Sequence, residues 1–131
     1  MKKRARTAAE DATPPPLIYV AGPYRAPTAW QIEQNIRAAE EAALEIWQLG
    51  AGAICPHTMN RFFEGVAPDQ VVLPAMIELL RRCDALLVLP GYEKSEGTCA
   101  EIRAASEVPI PMFRDFPGLV GWLQGQPGRM R

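Results

Sequence analysis

The stretch that decides the fold runs from Ala85 to Ala104 and reads ALLVLPGYEKSEGTCAEIRA. It begins with an apolar run that ends before Pro90, crosses a polar loop, and resumes in a helical pattern after Gly97. An apolar run, a glycine-bounded loop and a helical pattern in this order predict a strand, a loop and a helix. In an open α/β sheet, this junction lies at the carboxyl end of a strand, where ligands bind. The candidate functional side chains at the junction are Ser95 and Glu101.

The rest of the chain repeats this alternation of strand and helix. Apolar runs bounded by proline, glycine or charged residues predict four strands, at 17–21, 51–55, 85–89 and 108–113. Helical spacing predicts helices at 28–49, 74–82, 98–106 and 115–123, the second with Pro74 in its first turn. The segment 58–70 is expected to be an irregular loop or a short helix. The chain is therefore predicted to form an α/β fold with a doubly wound, mostly parallel sheet of four or five strands and helices on both faces.

Local signals refine these elements. Thr28 is followed three residues later by Gln31, the form of a capping box, and the amphipathic helix that starts there should end at Gly50. Asp115 is expected to cap the last helix. Asp84 precedes the third strand at the opposite edge of the sheet, where a structural cap or turn is expected. Prolines at 109 and 111 favour an edge position for the last strand.

Composition predicts one globular domain. The chain has 131 residues and a formal net charge of −1, so bulk charge gives no reason to expect a nucleic-acid partner. No run approaches the roughly 18 apolar residues of a membrane span, and no signal peptide is recognisable. The three cysteines match no metal motif, which favours reduced thiols in a cytoplasmic protein without a metal or cofactor. We expect a domain at 17–124 between a disordered tail at 1–16 and a frayed tail at 125–131.

The loops after the first three strands are expected to lie on one rim, because the carboxyl ends of neighbouring parallel strands meet at the same edge. Side chains far apart in the sequence should therefore converge there. The candidates on these loops are Gly22, Pro23, Tyr24 and Arg25 after the first strand, His57 after the second, and Ser95 and Gly97 after the third.

Each candidate has a structural interpretation beside the functional one. Thr98 to Glu101 has the form of a capping box, in which the glutamate would bond to the helix start, and this would point the carboxylate toward the same rim. Ser95 and the helix N-terminus could hold a phosphate with Arg25 as a bidentate donor, or Arg25 could be a solvated loop residue. His57 is either a ligand contact at the rim or a partly buried structural histidine, without a cluster that would bind a metal.

Three stretches resemble the nucleoside 2-deoxyribosyltransferase-like superfamily. They read IYVAGPYR, NIRAAEEAALEIWQLGAGAICPH and LLRRCDALLVLPGYEKSEGTCAEIRAA, and the resemblance covers residues 17 to 113. It is closest to a partly phage-encoded branch of the superfamily, and the chain is also similar to 2′-deoxynucleoside 5′-phosphate N-hydrolases. The most specific part is the Ser-x-Gly-x-x-x-Glu spacing of Ser95, Gly97 and Glu101.

The resemblance implies a flavodoxin-like fold, a homodimer and cleavage of an N-glycosidic bond. In characterised members, the glutamate that matches Glu101 attacks the anomeric carbon, and water or another base resolves the resulting glycosyl-enzyme, as in retaining glycosidases. Tyr19 matches a tyrosine that lies beside this nucleophile. Arg25 and Ser95 match the residues that bind phosphate in the N-hydrolases.

Other positions of the resemblance concern the pocket and the leaving base. Gly22 and Gly97 match backbone positions that line the pocket. The second acid of the family, which helps to protonate the leaving base, would lie at Met76, and a thioether cannot transfer a proton. Asp69, before this helix, or Glu93, after the third strand, could substitute for it, or water could supply the proton.

These observations predict an enzyme that cleaves a small-molecule nucleoside or nucleoside 5′-monophosphate, as an N-hydrolase or a deoxyribosyltransferase. The alternative is a module that binds or sequesters a nucleotide without turnover, which Met76 favours. A third possibility is an interaction domain that has kept only the fold.

Overall fold

The structure, a computed structural model, describes residues 14–63 and 65–126. Most of each predicted tail, namely residues 1–13 and 127–131, lies outside the described residues. Pro16, which the prediction assigned to the first tail, is buried, and its carbonyl accepts a hydrogen bond from the Gly52 N–H at 2.9 Å. The hydrogen bonding of the first strand thus begins one residue before the predicted domain boundary.

Four parallel strands form one sheet within the described residues. They are β1 (Leu17–Ala21), β2 (Gly52–Ile54), β3 (Ala85–Val88) and β4 (Met112–Phe113). The order across the sheet is β2-β1-β3-β4, and all three pairings are parallel. This is the order of the first four strands in flavodoxin-like folds, so the predicted α/β class and doubly wound topology are confirmed.

Helices cover both faces of the sheet. The elements between and after the strands are α1 (Ala29–Gln48), α2 (Pro56–Met59), α3 (Asp69–Arg81), a 3₁₀ turn (Tyr92–Lys94), α4 (Glu96–Glu107) and α5 (Phe116–Gln124). Side chains alternate along a strand, so Ile18 and Val20 of β1 pack with α1 and α5, whereas Tyr19 packs with α3 and α4. The central strands are apolar on both faces because both faces are covered.

Helix α1 follows the predicted capping and periodicity with one exception. The Thr28 hydroxyl accepts a hydrogen bond from the Gln31 N–H at 3.1 Å, as predicted. Gly50 follows the helix with φ of 87°, a conformation that favours glycine and reverses the chain toward β2. The apolar residues at helical spacing include both Ile46 and Trp47; Ile46 is fully buried, whereas Trp47 is 60% exposed.

Helix α3 begins earlier than its proline predicted. Asp69 is its first residue, and Pro74 lies in the second turn rather than the first. Pro74 is exposed, so its ring points to solvent, and the helix continues past a residue that lacks the usual N–H donor. The early start shortens the predicted 58–70 loop, whose first two residues belong to α2.

The last strand is shorter than predicted and lies at the edge of the sheet, as expected. Only Met112 and Phe113 pair with β3 in the sheet register, because prolines at 109 and 111 have no N–H to donate. At the other end of β3, the Asp84 carboxylate accepts a hydrogen bond from the Leu17 N–H at 2.7 Å. The Asp84 N–H donates to the Leu17 carbonyl at 2.8 Å, which gives Asp84 the predicted structural role.

Candidate functional site

The candidate site lies at the edge of the sheet where β1, β2 and β3 end. Strand β1 is central, with β2 on one side and β3 on the other, and its side chains at positions 18–20 are fully buried. The loop after β1 and the loop after β3 both leave this edge. This arrangement is the topological switch point at which open α/β sheets bind ligands.

A buried tyrosine and a glutamate meet under this edge. Tyr19 is 0% exposed and points from β1 toward α4. Its hydroxyl donates a hydrogen bond to Oε2 of Glu101, which is partly buried on α4. The two residues that were predicted to be catalytic are therefore in direct contact, through one of the two carboxylate oxygens of Glu101.

Burial sets the protonation of this pair. It raises the pKa of Glu101 from its usual 4.5 to about 7, against the smaller, lowering effect of the hydrogen bond from Tyr19. Burial, and then the charge and hydrogen bond of Glu101, raise the pKa of Tyr19 far above its ordinary value. The tyrosine consequently stays a proton donor, while the glutamate changes charge near neutral pH. A carboxylate with such a pKa suits proton transfer and, once ionised, nucleophilic attack.

The start of α4 differs from the predicted capping box. Ser95 is the N-cap, and its Oγ accepts a hydrogen bond from the Thr98 N–H at 3.2 Å. The Thr98 hydroxyl, which is buried, lies 2.9 Å from the same oxygen. The helix therefore begins at Glu96, and Glu101 falls in its second turn, beyond the reach of a capping interaction. The capping interpretation of Glu101 is wrong, which leaves its carboxylate for Tyr19.

The loop after β1 is held by contacts to its backbone. Nε2 of His57 lies 2.8 Å from the Pro23 carbonyl, and its ring packs edge-on to Tyr24 with 5.6 Å between centroids. The Asn35 side-chain amide donates to the Tyr24 carbonyl at 3.1 Å. A Cβ on Gly22 would lie 2.9 Å from Cβ of Leu89, so this glycine permits close packing of the two loops.

These contacts favour the structural interpretation of His57. The ring is 8% exposed, and burial lowers its pKa, with the hydrogen bonds to the backbone acting in the opposite direction. A neutral imidazole whose Nε2–H donates to a carbonyl is a structural group that fixes the loop. Asn35 was not among the predicted site residues, although it lies just before the buried Ile36, at the edge of the apolar face of α1.

Arg25 and Asp69 form an ion pair across two elements. Nη2 of Arg25 lies 3.2 Å from Oδ2 of Asp69, and the two side chains are 74% and 66% exposed. Both residues line a cavity of about 490 Å³ whose wall also includes residues 65–68. Arg25 is thus paired with an acid at the mouth of a cavity, rather than only with solvent.

The position of the expected second acid contains no proton donor. Met76 is buried, and its sulfur lies 3.1 Å from the Asn60 side-chain amide. Of the two proposed substitutes, Asp69 accepts a hydrogen bond from Arg25, whereas Glu93 is exposed on the 3₁₀ turn. Gly97 is exposed too, and a Cβ there would meet no atom within 4 Å, so packing does not require glycine.

A second cavity lies away from Glu101. It has a volume of about 390 Å³ on the face of α1 and α5, and of the predicted site residues only Pro23 contributes to its wall. Among residues 14–63 and 65–126, no group of three or more His, Cys, Asp or Glu side chains could hold a metal ion. The predicted site residues therefore lie mainly around Glu101 and around Arg25.

Comparisons with known proteins assign a family but no activity. In the part of the chain that the structure describes, no helix is long and apolar enough to cross a membrane. No curated protein matches the sequence. A family model described as a domain of unknown function (DUF7768) matches residues 16–115, and the chain belongs to this family.

Proposed function

We propose that the protein cleaves the N-glycosidic bond of a nucleoside or nucleoside 5′-monophosphate, with Glu101 as the nucleophile. The observation that carries this proposal is the hydrogen bond from the buried Tyr19 to one oxygen of Glu101 at the ligand edge of the sheet. The resemblance of the surrounding motifs to nucleoside 2-deoxyribosyltransferases and 5′-phosphate N-hydrolases supports the same chemistry.

The proposed reaction has two steps at the anomeric carbon. The free oxygen of ionised Glu101 attacks this carbon, the bond to the base nitrogen breaks, and its electron pair leaves with the base. Water, or a second base in a transferase, then attacks the glycosyl ester and releases the carboxylate. Tyr19 orients the carboxylate through its other oxygen in both steps.

The leaving base needs a proton that the protein does not supply at Met76. We propose that water delivers it, because the thioether has no proton to give and Asp69 is engaged with Arg25. General acid catalysis typically contributes 10²- to 10⁴-fold, so we expect a slow enzyme that favours bases with low-pKa leaving nitrogens.

A 5′-phosphate is the favoured substituent on the sugar. Arg25 at the mouth of its cavity can donate two parallel hydrogen bonds to a phosphate. The Ser95 Oγ accepts from the Thr98 N–H, which leaves the serine hydroxyl proton for a phosphate oxygen. These two residues support hydrolysis of nucleotides over transfer between nucleosides.

The second candidate is a protein that binds a nucleotide without cleaving it. The absence of a proton donor at Met76 favours this alternative. It predicts calorimetric binding of a nucleotide with no free base after long incubation. An interaction domain that has kept only the fold predicts no nucleotide-dependent rise in melting temperature.

Base release tests the proposal directly. Ribo- and deoxynucleosides and their 5′-monophosphates would be incubated with the protein and with its Glu101→Gln variant, and free base would be measured by chromatography. Glu107→Gln removes the same charge from the far end of α4, where the side chain is 71% exposed, and serves as the control. Base release that persists in Glu101→Gln would disprove the mechanism, whereas loss in this variant alone would support it.

We also propose a cytoplasmic homodimer. The homodimer is implied by the resemblance, and exposed apolar side chains near the site are compatible with a protein partner, among them Phe62 and Val66, which are 81% and 83% exposed. The free thiols of Cys55, Cys83 and Cys99 are compatible with a reducing compartment. Sedimentation of the purified protein would test the dimer.

A further inference from the structure

We propose that Asp69 sets the preference of the site between a 5′-hydroxyl and a 5′-phosphate by competing with the phosphate for Arg25. This inference rests on the proposed function, since it concerns the sugar substituent of the same substrate. It starts from the hydrogen bond of 3.2 Å between Nη2 of Arg25 and Oδ2 of Asp69, at the mouth of the cavity of about 490 Å³.

The pair presents two opposite hydrogen-bonding groups to a ligand. A 5′-hydroxyl can accept from the Arg25 guanidinium and donate to the Asp69 carboxylate, so a nucleoside fits the pair as it stands. A 5′-phosphate has acceptor oxygens and a negative charge. The phosphate is attracted by Arg25 but repelled by Asp69. The carboxylate therefore has to move away before the phosphate can bind with full affinity.

The exchange is feasible because the pair is weak and its surroundings allow movement. Both side chains are more than half exposed, and solvent weakens the attraction within an exposed ion pair. The carboxylate belongs to the first residue of α3 and follows a turn in which Gly65 has φ of 79°. A change of side-chain rotamer at Asp69 therefore suffices, while the helix remains in place.

The test measures binding in the Glu101→Gln background, where turnover does not interfere. The probes are the four common 2′-deoxynucleoside 5′-monophosphates and the matching nucleosides, titrated by calorimetry with and without Asp69→Asn. Removing the carboxylate charge should raise the affinity for the 5′-monophosphates by about three- to tenfold at low salt and by less at high salt. The affinity for the nucleosides should not rise, because asparagine still offers a polar group to the 5′-hydroxyl.

Two further variants separate competition for Arg25 from a general charge effect. Glu40→Gln breaks an exposed arginine–glutamate pair of 2.8 Å on α1 and should leave both ligand classes unchanged. In an Arg25→Gln background, Asp69→Asn should lose most of its effect, because the guanidinium for which the two anions compete is gone. An undiminished effect there would overturn the competition.

The outcomes also distinguish this inference from the proposed function. If nucleotides are bound and cleaved but the ratio of nucleotide to nucleoside affinity is the same with and without Asp69→Asn, the inference fails and the function stands. If base release is indifferent to Glu101 but Asp69→Asn changes that ratio, the proposed mechanism fails and the inference stands. If neither ligand class binds to any variant, both fail.

Discussion

The hydroxyl of Tyr19 on β1 donates a hydrogen bond to the carboxylate of Glu101 on α4, across 82 positions of the chain. The contact places a titratable group of α4 against the central strand of the sheet. It also distinguishes the two oxygens of the carboxylate, because the phenol donates to Oε2 alone. The reactivity of Glu101 and the stability of the fold should therefore respond to the same ionisation.

The rate of base release should depend on the ionisation of Glu101. Burial raises the pKa of this carboxyl to about 7, and only the ionised form can attack the anomeric carbon. The rate should therefore rise about tenfold per pH unit in the acidic range and level off above about pH 7. Steady-state kcat/KM between about pH 5.5 and 9 measures this profile, and a rate that is flat or falls through the neutral range would contradict it.

Tyr19→Phe should move the midpoint of that profile to higher pH. The phenol stabilises the ionised carboxylate, so its removal raises the pKa of Glu101 further and lowers the rate at neutral pH. Activity should recover in part at alkaline pH. Tyr92→Phe, on the 3₁₀ turn, is the matched control. If Tyr19 served packing alone, its replacement would change the plateau and leave the midpoint where it was.

Glu101 should also make the folded state less stable as the pH rises. Its pKa is about 7 in the folded protein against an ordinary value of 4.5, so the stability of the neutral form is fully present below about pH 4.5 and is lost as the pH rises through about 7. Glu101→Gln keeps a neutral group and should avoid this loss, which is on the order of 3 kcal/mol for such a shift.

Thermal unfolding at several pH values measures this effect without a substrate. The difference between the melting temperatures of Glu101→Gln and the native protein should shift in favour of the variant as the pH rises from about 4.5 to 8. Glu107→Gln should show no such trend, because this side chain is mostly exposed. Parallel pH curves for the native protein and Glu101→Gln would show that the carboxyl titrates normally.

Ser95 should carry a structural role that can be measured apart from ligand binding. Its Oγ caps α4 through the Thr98 N–H, so Ser95→Ala should lower the free energy of unfolding by about 1 kcal/mol. Ser95→Asp preserves a cap but places a negative charge at the helix start. It should keep the stability and weaken binding of 5′-monophosphates more than that of nucleosides. Chemical denaturation and calorimetry measure the two effects, and equal losses for both ligand classes would argue against a phosphate contact at Ser95.

Much of the fold could be predicted because local patterns and tertiary packing agree. The apolar run at 17–21 is the observed β1, and Thr28 and Asp115 cap the helices that they were predicted to cap. The start of α4 could not be decided in this way, because Ser95 and Thr98 are both good N-cap residues. Tertiary structure selects Ser95, since Thr98 is 1% exposed and its hydroxyl bonds to that serine.

The sequence predicted that the candidate residues would lie at one edge of the sheet, but it did not predict which of them bond to one another. Position in the topology brought Tyr19 and Glu101 to one edge, and the resemblance named both. The partners of His57 and Asn35 are main-chain carbonyls, to which no side-chain pattern corresponds. The pair of Arg25 and Asp69 depends on where α3 begins, and Pro74 indicated a later start than the true one.

The pair of hydrogen bonds between Leu17 and Asp84, at the amino end of β1, bears on how slowly the backbone beneath the site opens. Leu17 exchanges two hydrogen bonds with Asp84, and β1 is paired along both sides. Its amide protons should therefore exchange with solvent deuterons only when the whole domain opens, whereas those of residues 60–63 and 65–67 should exchange through local opening. The carboxylate of Glu101 is thus bonded to a strand that we expect to exchange its amide protons slowly. Asp69, by contrast, adjoins a segment that we expect to exchange its amide protons fast.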